Sequence, residues 1–200
     1  RPVVTSRRSI VRFVASLALA AGAAAPASAS SILPQTLPEL VARSRTVFVG
    51  ETIGVESRWA DVGADRVIVT RVTFKVDRVL KGRLGGQTVL EFLGGTVGED
   101  RLAVAGMPKF RVGDRDVLFV DDGGRPMCPV VGMTHGRFRV LEDPQTGRRS
   151  MARSGFEPLA AVGDIGAAGP PARVRSARAL TLEAFASEIE REVERQRAAR

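Results

Sequence analysis

The sequence predicts an all-β fold, a single small barrel or sandwich carrying a C-terminal amphipathic helix, and three observations predict it. First, Ile68, Thr70, Val72, Phe74 and Val76 are apolar or β-branched while Arg71, Thr73, Lys75 and Asp77 between them are mostly polar. That period of two marks a half-buried strand. Second, short β-rich runs recur between turn signals such as Lys81-Gly82, Gly94-Gly95, Gly113-Asp114 and Asp143-Pro144, with no helical period between them. Third, the apolar phase of the long strand slips at Asp77-Arg78, after which Val79 carries the pattern. A bulge produces such a slip, and bulges let a strand of roughly 30 Å coil into a barrel.

The elements follow in order. Residues 37–44 predict a short helix and residues 47–53 a first strand; the alternating strand comes next, then strands at 87–93, 102–105, 116–120, 127–131 and 137–141. The β-domain is assigned to residues 30–160, about the size that builds one hydrophobic core without disulfides. Residues 161–178, rich in Ala, Gly and Pro, read as a linker with little apolar surface to offset the entropy of ordering. Residues 179–200 read as a charged amphipathic helix, because Leu182, Phe185, Ile189 and Val193 fall on one face. Thr181 is its expected N-cap, and Glu188 with Arg191 and Glu192 with Arg195 are spaced to pair. The helix either docks on its own β-domain or serves as a tethered partner-binding element.

Residues 1–29 carry Arg1, Arg7, Arg8 and Arg12 with no acid, then an apolar, Ala-rich run over residues 13–25, then Ala27-Ser28-Ala29. This is the layout of a secretory signal peptide, with cleavage expected between Ala29 and Ser30. The run is shorter than the roughly 20 apolar residues that span a bilayer. Residues 6–12, with their arginine pair, resemble a twin-arginine signal; general secretion is the other route. Ser30 stands where a bacterial lipoprotein has an acylated cysteine. The expected location is therefore periplasmic or extracellular, with no stable membrane anchor after cleavage.

Charge composition takes on a different meaning once the signal is set aside. The 200 residues hold 30 Lys and Arg against 22 Asp and Glu, a net charge of +8. Without the four leader arginines the balance is 26 against 22, and much of that excess lies after residue 170. The domain itself is nearly neutral and has no Tyr, so the basic groove and aromatic platforms of a nucleic-acid binder are not expected.

Residues 47–50, 72–82 and 110–120 resemble the strands of netrin-like and metalloprotease-inhibitor-like modules, over roughly residues 40–140. The resemblance implies a secreted, OB-like barrel. Members of the inhibitor family chelate the protease zinc through an N-terminal cysteine, where this chain has Ser30, and one cysteine in all leaves no netrin-type disulfides. The resemblance therefore implies architecture and transfers no functional residue.

Cys128 and His135 are single members of their types, seven residues apart. Together they are the candidate nucleophile and base of a thiol-dependent hydrolase. The structural alternative, favoured by the apolar run around Cys128 and the turn at Thr134-His135-Gly136, is a buried cysteine and a hairpin-tip histidine. Asp114, Asp116, Asp121 and Asp122 lack the spacing of a calcium loop and are expected to be turn acids. Residues 94–98 are Gly-rich but lack the Lys and following helix of a phosphate loop. Trp59 beside Arg58 is a candidate interface anchor, with packing over a barrel end as the alternative. Arg58, Trp59 and His135 are the surface candidates; no catalytic residue, metal ligand or cofactor site is expected. The function expected from these observations is an exported, non-catalytic module that binds a protein or envelope partner. A secreted protease inhibitor and the Cys128/His135 hydrolase are the alternatives.

Overall fold

A computed structural model of the chain describes residues 35–121, 127–166 and 178–199. The signal peptide, its cleavage site at Ala29 and Ser30, Asp122 and most of the expected linker lie outside the described residues.

The chain starts with helix α1 (Leu37–Arg43), whose Glu39 carboxylate accepts the Thr36 backbone N–H at 2.8 Å. Strands β1 (Thr46–Val62) and β2 (Asp65–Lys81) form an antiparallel hairpin of 17 residues per arm, turning at Gly63 with φ 63°. β3 (Gln87–Leu93) follows, then a small ribbon of β4 (Gly95–Val97) and β5 (Asp100–Leu102), then β6 (Arg115–Val120), β7 (Arg137–Glu142) and β8 (Arg149–Arg153). Helix α2 (Leu182–Ala198) comes last. The six main strands form one antiparallel sheet in the order β3-β2-β1-β6-β7-β8.

The sheet is open, which corrects the expected barrel. Closure would require β3 to pair with β8, and the outer edge of β8 is already occupied. Met151 donates its N–H to Leu180 O at 2.8 Å and accepts that of Leu159 at 2.9 Å. Bridges from Ala152 to Pro158 and from Ser150 to Thr181 complete that cover. The bulge expected at Asp77 is present, since Val49 pairs with Arg78 and Gly50 with Val76. It bends the hairpin without bringing the two edges together. The protein is mostly β, with helices on one side, rather than all-β.

Because the sheet is open, both of its faces can bury side chains. On one face Val47, Val49, Val117, Phe119, Phe138 and Met151 pack with Leu40 and Val41 of α1 and with Phe185, Ala186, Ile189 and Val193 of α2. Phe185 sits 5.0 Å from the Phe138 ring and 6.5 Å from Phe119. The other face carries Phe48, Val72, Phe74, Phe92, Leu118 and Val120, covered by Phe110, Cys128 and Val130 from the connecting segments. Phe74 meets Phe48 and Phe110 edge-on at 5.8 and 5.3 Å, the geometry that aromatic quadrupoles favour.

The C-terminal helix docks on the sheet. Thr181 caps it as its sequence suggests, with Oγ1 accepting the Ala184 N–H at 3.2 Å. Glu188 pairs with Arg191, and Glu192 with Arg195. Gln196 Nε2 donates to Pro38 O at 2.9 Å, tying this helix to α1. The packed chain also runs past residue 160: residues Val162–Asp164 form a 3-10 turn and Ile165 enters the first core. Two strand assignments change. Residues 127–131 contribute only the Val120–Val130 bridge, and the strand expected at 102–105 is the short β5. β4, β8 and the outer part of β1 carry no apolar alternation for the sequence to reveal.

Candidate functional site

A cleft of about 610 Å³ opens between the outer half of the β1–β2 hairpin, the end of β3 and the segment 94–110. Its geometry begins with a second bulge. Thr52 pairs with Phe74 but Gly54 pairs with Thr73, so Ile53 is an extra residue and the side-chain phase of β1 reverses. In the inner half Phe48 and Thr52 share the Phe74 face; beyond the bulge Val55, Ser57 and Trp59 take that face, opposite Val72, Thr70 and Ile68. Without the bulge, Gly54, Glu56 and Arg58 would point there instead.

The floor of the cleft is Val72, Phe92 and Phe110, all buried, while Val55 at the mouth is 42% exposed. Met107 and Val104 line the side made by the connecting segment. A hydroxyl pair sits on the wall: Thr70 Oγ1 donates to Gly94 O at 2.6 Å and lies 3.0 Å from Ser57 Oγ. With the Thr70 proton used on Gly94, Ser57 must supply the proton between the two hydroxyls. The chain crosses this pair at Gly95, where a Cβ would strike both Ser57 Oγ and Thr70 Oγ1, and where φ is 142°. Glycine is required there for the close approach and for the backbone angle.

Behind the floor lies a buried ionic cluster. Arg137, 3% exposed, donates from Nε and an amino nitrogen to the two carboxylate oxygens of fully buried Asp116, each at 2.9 Å. It also donates to Lys109 O, and its guanidinium stacks 4.0 Å from the Phe110 ring. Arg139 and Arg137 both reach Asp114. One bidentate arginine therefore ties β6 and β7 to Lys109 and to Phe110 in the cleft floor. Burial raises the Asp116 carboxyl above its ordinary pKa, and the Arg137 guanidinium works against that shift. At Asp114 burial also acts upward, but the bonds from Arg139 and the Arg111 N–H and the charge of Arg137 hold the carboxyl below its usual range. A smaller polar cavity of about 300 Å³ lies beside this cluster, where Arg115 bonds Glu51 at 3.0 Å.

The residues singled out from sequence are dispersed. Cys128 is buried in the second core, its Sγ 3.7 Å from Val130 O, and burial pushes its thiol up to about 11. His135 lies on a 3-10 turn, Met133–Gly136, where burial and then Arg153 lower its pKa. No hydrogen bond joins the two among the described residues. Trp59 is within β1, 37% exposed, with the Arg66 guanidinium 5.4 Å from its ring. Arg58, its neighbour, points to the opposite face and pairs with Glu91 at 2.8 Å. Asp114 is a turn acid, its carboxylate accepting the Arg111 N–H, and also an ion-pair partner; Asp116, within β6, is an ion-pair partner. The residue that sequence reasoning passed over is Arg137. The available signal was Asp114-x-Asp116 at the start of one strand and Arg137-x-Arg139 on another, opposite charges in the same phase.

Among the described residues no three His, Cys, Asp or Glu side chains gather as metal ligands, and no helix is long and apolar enough to cross a membrane. Comparison with protein families, with curated proteins and with solved structures found no match.

Proposed function

We propose that the chain is an exported, non-catalytic module that binds a protein or envelope partner through the cleft beneath the outer hairpin. The observation that carries this reading is the cleft itself: an apolar pouch with a buried aromatic floor and an exposed mouth, within the usual size range of ligand sites, about 300–1,000 Å³. The layout of residues 1–29 supports export. Against thiol catalysis stands Cys128, which is buried and whose thiol is raised to about 11, so it is nearly all protonated at neutral pH.

Two measurements test the reading. Retention of the purified protein on isolated envelope fragments is expected to fall at least tenfold in Val55→Arg, which places a charge at the mouth without disturbing a core. Retention unchanged by this substitution overturns the cleft as the binding element. Alkylation of Cys128 by iodoacetamide in the native protein is expected to be slow at pH 7.5. It should rise about tenfold per pH unit without a plateau until near pH 11. Rapid labelling with a plateau near neutrality restores the hydrolase.

A further inference from the structure

The distribution of charge and hydrogen-bond donors around the cleft restricts what it can hold. Its charged lining residues are Arg101 and Lys109, both exposed, and no acid lines it. Neither cation makes a side-chain ion pair or hydrogen bond among the described residues. On a domain of nearly balanced charge this is a local excess. Deeper in, the Ser57–Thr70 pair offers no free proton: that of Thr70 is used on Gly94 O and that of Ser57 on Thr70. A polar ligand group set against that pair would find only acceptor lone pairs, and an acid placed on it would lose its hydration without gaining a donor. The rest of the lining is chiefly aliphatic, with Phe92 and Phe110 below and Met107, a side chain that conforms to irregular shapes, at the side.

A ligand that matches this arrangement is apolar over most of its length and anionic at one end. We infer that the cleft binds a single-chain anionic amphiphile of the fatty-acid class, with its hydrocarbon tail in the pouch and its carboxylate at the rim on Arg101 and Lys109. The inference rests on the binding role proposed above. The tail supplies affinity through the area it removes from water. The two cations select the head group and make binding weaken with salt.

Displacement of the fluorescent probe 11-(dansylamino)undecanoate from the full chain tests this, with dodecanoate, dodecanol and dodecyltrimethylammonium as competitors below their micelle concentrations. Dodecanoate is expected to displace the probe at micromolar concentration, the other two at least tenfold less effectively. Acetate should not displace it. In Arg101→Ser/Lys109→Ser, both exposed positions, the preference of dodecanoate over dodecanol should collapse to less than threefold while dodecanol competes as before. Equal competition by dodecanol and dodecanoate in the wild-type protein overturns the anionic assignment. So does a preference that survives the double substitution. Absence of probe binding alongside Val55-dependent retention on envelope fragments overturns the fatty-acid ligand and leaves the binding role in place; loss of both removes the role as well.

Discussion

The inner and outer halves of the β1–β2 hairpin belong to one antiparallel ribbon, joined across the bulge at Ile53, and differ in what covers them. Around Val47–Val49 and residues 78–81, α1 and α2 close one face and the connecting segments the other, so Val47 and Phe48 are wholly buried. Beyond Ile53 the helix-side face is bare and carries Glu56, Arg58, Arg71 and Glu91, while the opposite face overlies the cleft. One ribbon thus serves as core where it is sheathed twice and as one wall of a binding site where it is sheathed once. The difference is made by the bulge at Ile53 and by the limited reach of two helices.

The contrast predicts a gradient of mutational effects. Phe185→Ala removes a fully buried ring that packs on Phe119 and Phe138 in the inner region. It should cost about 3–5 kcal/mol, read as a lower urea midpoint and a melting temperature lower by about 10 °C. A loss under about 1 kcal/mol would mean that the helix contributes little to the core. Asp116→Asn leaves the buried Arg137 guanidinium without its bidentate counter-charge, with only the longer contact to Asp114 remaining, and should cost about 3 kcal/mol. The double change Asp116→Leu/Arg137→Met should recover much of that stability, yet loosen the cleft, because Lys109 and Phe110 lose their tie to the sheet. If the double variant binds the probe as wild type does, the cluster has no part in shaping the cleft.

Two smaller effects probe the outer half itself. Gly95→Ala must displace the Ser57–Thr70 pair and adopt an unfavourable backbone angle, at about 1–3 kcal/mol. Hydrogen exchange should speed up over residues 94–105 and stay unchanged over β6; uniform acceleration would erase the distinction between the halves. Arg58→Ala removes an exposed ion pair to Glu91 and should change stability by less than about 0.5 kcal/mol in an equilibrium denaturation series.

The inner half was legible in the sequence and the outer half was not, for a physical reason. Where a strand is buried on one face its apolar residues alternate, and where it is buried on both, as in β6, they run on without a break; these patterns located β2, β3, β6, β7 and the bulge at Asp77. Residues 54–62 alternate charges with small or exposed side chains, because neither face there is fully covered; β2 alone holds them extended. The amphipathic period of α2 and its Thr181 cap were equally readable, since both are local. Closure of the sheet was not, because it depends on what occupies the edge of β8, a contact made by residues 158–159 and 180–181 far from the strand's own pattern. The cleft escaped for the same reason: Val55, Phe92 and Lys109 come from three separated stretches, and the phase reversal at Ile53 turns on one residue.

The contact between α2 and α1 has a consequence for how the polypeptide comes into being. A chain emerging amino-terminus first, from a ribosome or through a translocation pore, makes α1 and its strands in order but leaves the face of Val49, Phe119 and Phe138 without the α2 part of its cover. Only when residues 182–196 are free can Phe185 and Ile189 cover that face and Gln196 reach Pro38. Completion of the fold is thereby timed to the arrival of its most distal described element.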